Sequence, residues 1–224
     1  MKKSLCLVAL LGLSAAVSSA TIITVLDMFN TGTQQASDPA GLCSASANPN
    51  TLATGDAFGG FRTMGASNTA GGCANSDVNF SVPGAYAASL PVNGTGSFSV
   101  IWNANGAGFD ADSLGGFTFR ARQDADAPPN EASTVMFTVC QDAAGTVGCV
   151  DTGSASINSQ SYQTYSVNFG GGSLQENVAY IRMLVTGGLE RDVTIDFINA
   201  DVPEPSTFAL AGVALLGLGL LRRR

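Results

Sequence analysis

Between Thr21 and Asp201 no segment keeps a helical apolar period; short β-rich runs separated by turn-forming residues take its place. The runs are Thr21–Leu26, Phe98–Trp102, Phe117–Arg122, Thr134–Cys140, Tyr162–Phe169, Val178–Val185 and Val193–Ile198. Tyr165, Val167 and Phe169 recur every second residue, as do Val193, Ile195 and Phe197, which is the spacing of one face of a strand. Gly115-Gly116, Pro128-Pro129-Asn130, Gly170-Gly171-Gly172 and Gly187-Gly188 break the runs with turn chemistry. Seven or more short strands in about 180 residues predict a mostly β fold, a single antiparallel β-sandwich of jelly-roll type over residues 21–201. No internal repeat or second composition boundary divides it. From Asn30 to Ala88 Gly, Ser, Asn and Ala dominate, and long loops with edge strands are expected there.

Charge removes several classes of function. Only 12% of the 224 residues are charged, while 45% are hydrophobic, so the chain has apolar surface enough for a core. Between Thr21 and Val202 five arginines face 16 acidic residues, a net of −11. A surface of that sign repels phosphate backbones and argues against nucleic-acid binding. The chain has no histidine, which excludes a Ser-His-Asp triad, a Cys-His pair and any His-ligated metal.

Both ends carry targeting chemistry. Residues 1–20 have the form of a secretory signal: Lys2 and Lys3 give the positive start, and Leu5 to Val17 is apolar apart from Ser14. Ser18 and Ala20 supply the small residues expected before cleavage by signal peptidase between Ala20 and Thr21. At the other end Val202-Pro203-Glu204-Pro205 opens residues 202–207. Residues 208–221 form an uncharged run of Leu, Ala, Gly, Val and one Phe, and Arg222-Arg223-Arg224 closes the sequence. As a helix the 14-residue run is about 21 Å long, short of a hydrocarbon core of about 30 Å. It is expected to be a short transmembrane segment with residues 222–224 as a basic cytoplasmic tail. Prolines 203 and 205 lack N–H donors and disfavour helix before them, so the motif stays extended.

The order of these three parts resembles the PEP-CTERM sorting signal of Gram-negative bacteria. The resemblance covers residues 202–224. It implies processing near Pro203-Glu204-Pro205 by an exosortase, a membrane-embedded Cys transpeptidase. It also implies a host that makes exopolysaccharide or biofilm, and a protein delivered to the cell surface or extracellular matrix after a membrane-tethered stage.

Cysteine use fits an oxidising compartment. Cys6 lies in the signal; Cys43, Cys73, Cys140 and Cys149 remain, an even number. Cys140–Cys149 is expected across a hairpin connection and Cys43–Cys73 across the loop-rich N-terminal half. Loop entropy assigns them about 2.7 and 3.7 kcal/mol. A tetra-Cys zinc site would need close Cys pairs, which the spacing does not supply.

Candidate chemistry in the domain is sparse. Asp110 and Asp112, and Asp124 and Asp126, are paired carboxylates flanking one run, and hard oxygen ligands of this kind bind calcium. Their spacing lacks the EF-hand pattern, and Asp serves turns as well as ions. A glycosidase needs two carboxylates across a cleft, and no motif singles out such a pair. Trp102, Tyr86, Tyr162 and Tyr165 have the rings to stack on sugars, although aromatics also favour strands for packing. The resulting expectation is a non-enzymatic exported protein. A carbohydrate-binding module for exopolysaccharide is the second reading and a secreted hydrolase the third.

Overall fold

The computed structural model describes residues 25–38, 48–70, 72–90, 95–123, 132–187 and 192–202. Twelve strands run in chain order: β1 (Gln34–Ser37), β2 (Asn50–Ala53), β3 (Phe61–Ala70), β4 (Asn75–Val78), β5 (Tyr86–Ser89), β6 (Thr95–Trp102), β7 (Gly116–Gln123), β8 (Ser133–Cys140), β9 (Val150–Ile157), β10 (Gln163–Asn168), β11 (Tyr180–Gly187) and β12 (Asp192–Asp201). They form two six-stranded sheets, ordered β1-β4-β5-β12-β7-β10 and β2-β3-β6-β11-β8-β9. Every ladder between these strands is antiparallel. The two sheets pack as a sandwich around one apolar core, and the fold is the antiparallel β-sandwich that the runs predict.

Alternation decides which side chains meet in the middle. Phe117 and Phe119 of β7, with Phe137 of β8 from the other sheet, are fully buried. The rings of Phe117 and Phe137 stack across the sandwich with centroids 4.3 Å apart. Phe98, Val100 and Trp102 of β6, Met183 and Val185 of β11, and Val193, Ile195 and Ile198 of β12 complete the middle of the core. A bulge at Asp196 shifts the register of β12 against β7 between Ile195 and Phe197, so Ile198 rather than Phe197 turns inward.

Two sequence expectations are corrected. The described part of residues 30–89 holds five strands; β1 and β2 are edge strands as expected, but β3, β4 and β5 lie inside their sheets. The inward positions of β3 and β5 are occupied by Arg62, Met64, Ala66 and Tyr86, a set that hydropathy does not mark as a strand. The run Thr21–Leu26 does not end as a strand: Val25 and Leu26 belong to an irregular strap, residues 25–33, attached through single bridges of Asp27 to Ile198 and Ala57.

Antiparallel order sends alternate connections to opposite ends. One end collects the strap and residues 54–60, 79–85, 103–115, 141–149 and 169–179, together with Val202 after the last strand. Contacts tie this end together. The amides of Leu26 and Asp27 donate to Ile198 O, and Phe58 N donates to Leu26 O. The rings of Phe58 and Phe109 meet edge to face at 4.8 Å.

Candidate functional site

The strap is anchored by a buried ion pair. Asp27 and Arg62 have no solvent exposure, and Arg62 Nη1 donates to Asp27 Oδ1 at 2.9 Å and Oδ2 at 3.0 Å. Trp102 Nε1 and the Phe29 amide also donate to this carboxylate, each at 2.9 Å. Arg62 Nε donates to Gln34 Oε1 at 3.0 Å, and its guanidinium lies over the Phe29 ring. Burial pushes the Asp27 carboxyl up from its ordinary value, against the pull of the Arg62 charge and the donated hydrogen bonds. A buried charge pair with its remaining donors satisfied fixes geometry more than it adds stability. Here it joins the strap to β3 and β6. Asp56 holds the outer part of the strap by accepting from the amides of Asn30 and Thr31 and from both the Thr31 and Thr54 hydroxyls.

The aromatic candidates divide by position. Trp102 and Tyr86 are fully buried in the core, and burial drives the Tyr86 phenol far above its usual value. Neither presents a face to a ligand. Tyr165 is half-buried and stacks on Phe119 at 5.7 Å. Tyr162 is half-buried between Arg120 and Arg122, whose guanidinium carbons lie 4.9 and 5.0 Å from its ring centre. Arg120 also pairs with Asp196 at 2.9 Å.

The outer face of the β2-β3-β6-β11-β8-β9 sheet carries a groove of about 370 Å³. Its floor is small: Gly65, Ser67, Ser97 and Ser99, with Asn48 and Pro49 on one side and Tyr180 and Arg182 on the other. A Cβ at Gly65 would stand 2.9 Å from Ser99 Oγ, so glycine keeps this floor low. Arg182 Nη2 donates to Thr138 Oγ1 at 3.2 Å, while its Nε is buried with no partner. Sequence reasoning missed this groove, because Ser, Gly and a single Arg on three separate strands leave no local signal.

Of the two acidic pairs the described residues include Asp110 and Asp112. Asp112 Oδ1 accepts the Asn177 amide at 2.6 Å, fastening the bridge between Ala111 and Val178. Asp110 is exposed beside it. Asp124 and Asp126 lie outside the described residues, as do Cys43, Ala20 and Thr21. Among the described residues no three acidic or cysteine side chains gather as a metal site. Cys140 and Cys149 form a disulfide across the β8–β9 connection, with Cα atoms 4.1 Å apart. Cys73 is also disulfide-bonded. Gly145 turns this connection at φ +72°, and a Cβ there would meet the Tyr180 ring at 2.8 Å.

The described chain leaves the sandwich from a central strand. Asp201 O accepts from Gly115 N at 2.8 Å and Asp201 Oδ2 from Thr118 Oγ1 at 2.9 Å. Val202, still half-buried, packs against the core. Pro203 onwards lies outside the described residues, with Glu204, Pro205, residues 208–221 and Arg222 to Arg224. Among the described residues no helix is long and apolar enough to cross a membrane. Residues 201–224 match the family model of the PEP-CTERM protein-sorting motif. The chain carries a PEP-CTERM sorting signal.

The PEP-CTERM motif marks an exported protein handled by an exosortase, and its match begins at Asp201, the last residue of β12. No curated protein matches the sequence. Several solved structures resemble the sandwich. A family 11 carbohydrate-binding module of the cellulosomal cellulase Lic26A-Cel5E of Clostridium thermocellum is 13% identical, with a TM-score of 0.40 over 83% of this chain and 97% of its own. TmCBM61 in complex with β-1,4-galactotriose is 9% identical, with a TM-score of 0.35 over 78% and 90%. The arabinose-bound α-L-arabinofuranosidase MgGH51 is 10% identical, with a TM-score of 0.42 over 83% of this chain and 27% of its own.

Proposed function

We propose that this chain is a non-enzymatic β-sandwich protein released by exosortase to the cell surface or extracellular matrix after signal peptidase has removed residues 1–20. The observation that supports it is the PEP-CTERM motif at residues 201–224, which begins where the folded sheet ends. On this reading residues 208–221 tether the precursor in the inner membrane, and cleavage near Pro203-Glu204-Pro205 frees the domain. Replacing those three residues by alanine in a host with exosortase is expected to leave a full-mass, membrane-retained precursor. Release at unchanged mass would overturn the reading. No metal enters it, so melting in calcium and in chelator is expected to coincide. A calcium-specific rise would assign Asp110 and Asp112 a ligand role instead.

A second reading, binding of exopolysaccharide, is favoured by the groove over Gly65, Ser97 and Ser99. Hydroxyls, Asn48 and the Arg182 guanidinium offer donors and acceptors to a polar chain, and the half-buried Ile101 and Leu184 offer apolar contact. A glycan array on the refolded domain tests it. Signal that Arg182→Ala abolishes supports the groove, and an empty array rejects it.

A further inference from the structure

The tail leaves the sandwich through an end unlike the rest of its surface. The exposed large apolar side chains among the described residues are Val25, Met28, Phe80, Val147, Val150 and Leu174. All of them lie in, or immediately beside, the connections at the end where Val202 emerges. Phe80, at 62% exposure, sits in the β4–β5 turn, which reaches the strap through Asn79 Nδ2 and Asn30 O. Val147 and Val150 flank Cys149, and Leu174 precedes Gln175, which exchanges backbone hydrogen bonds with Leu114. Scattered exposed apolar residues are ordinary, but their confinement to one end of a molecule is the mark of a contact surface.

The same end is acidic. Its described connections contain neither Lys nor Arg, but they carry Asp56, Asp110, Asp112, Asp142 and Glu176 in addition to the buried, paired Asp27. Every arginine in the described residues lies on a strand. Anionic headgroups would be repelled by such a rim within a Debye length of about 8 Å. A protein surface with positive charge around apolar contacts is complementary to it.

Chain length says where that partner is. From Val202 to Phe208 the backbone spans at most about 20 Å when fully extended. Val202 is therefore held within that distance of the start of the apolar run, and the end of the sandwich that it leaves is the end nearest to whatever acts on Pro203-Glu204-Pro205. We infer that this end of the sandwich is a docking surface for the processing exosortase itself, which meets it through a cationic, apolar-studded outer surface. The inference rests on the exosortase reading of the tail. It adds that recognition extends beyond the motif to residues that precede Pro203 by up to 178 positions in sequence but lie at the end of the sandwich from which Val202 leaves.

The test uses the full precursor in cells that make its exosortase. A photo-cross-linking residue is placed at Val147 or Leu174 on this end, and at Ser159 on the opposite end as a control. Cross-links to exosortase are expected from the first two positions and not from the third. The double variant Asp110→Lys with Glu176→Lys should melt like wild type yet be processed about tenfold more slowly, as loss of electrostatic steering requires. Absent or indiscriminate cross-links in cells that process the tail normally would overturn the inference. So would cross-links to lipid alone, which would assign the end to the bilayer, and so would normal processing of the double variant. If wild type and the alanine variant of Pro203-Glu204-Pro205 are both released uncut, the sorting reading itself fails, which is a separable result.

Discussion

Arg62 Nη1 stands 2.9 Å from Asp27 Oδ1 and 3.0 Å from Oδ2, with both side chains closed to solvent. Arg62→Met leaves the Asp27 carboxylate buried without its cation. The expected loss is about 3–5 kcal/mol of unfolding free energy. Urea titration followed by Trp102, the only tryptophan, checks it, because the indole donates to the same carboxylate. An unchanged midpoint would show that the pair contributes nothing to the folded state.

Asp56 gives the domain an acid-sensitive strap. Burial raises its pKa, but hydrogen bonds from Thr31, Thr54 and the Thr31 and Asn30 amides outweigh this and hold the carboxyl below its ordinary 3.8. A depressed folded pKa stabilises above the unfolded value, and that share is lost as pH falls through the folded one. Asp27 works in the opposite sense, so the quantity to measure is the stability difference between wild type and Asp56→Asn. It should be constant from pH 7 to about pH 5 and shrink below about pH 4. A difference that grows on acidification would contradict the assignment.

Removal of the Cys140–Cys149 bond, by Cys140→Ser with Cys149→Ser, should cost about 2.7 kcal/mol by loop entropy. For a domain of this size that is a fall of roughly 5–10 °C in Tm. Non-reducing peptide mapping of protein collected outside the cell should link the two cysteines. Free thiols there would count against both the bond and the compartment.

Gly116 opens β7 where β10 crosses it. A Cβ at this position would meet Val167 O at 2.3 Å and Asn168 Oδ1 at 2.5 Å, and the first of these is backbone that cannot rotate away. Gly116→Ala is expected to destabilise by about 1–3 kcal/mol and to loosen β10 first. Hydrogen exchange should show faster loss of the Tyr165 and Val167 amides than of those in β11. Uniform exchange in the variant would speak against a local wedge.

What the sequence disclosed depended on how local each signal is. β6, β7, β8, β10 and β11 place Phe, Val and Ile on alternate positions, so their inward faces are visible residue by residue; in β12 the alternation holds through Ile195 and then fails at the bulge, which buries Ile198 in place of Phe197. β3 buries Arg62 between Phe61 and Thr63, and β1 buries Gln34. These inward polar residues are satisfied only by partners tens of positions away. β9, with Ser154, Ser156 and Gly153, is an edge strand that buries little beyond Thr152 and Ile157 and so carries no apolar stripe. The same rule separates the sites. The PEP-CTERM motif and the Cys140–Cys149 hairpin are contiguous and legible. The groove over Gly65 and the acidic end around Val202 exist only once strands distant in sequence are neighbours.

The place of β12 in its sheet bears on the order in which the molecule can be completed. It is the last of the described strands to be synthesised, yet it pairs with β5 on one side and β7 on the other, joining β1-β4-β5 to β7-β10. While residues 192–201 are still inside the export channel, the two halves of that sheet have no common member. On the proposed sorting route, the step that delivers the strand between them also brings the sorting signal up to the membrane, so assembly of the domain and presentation of its tail become one event in time.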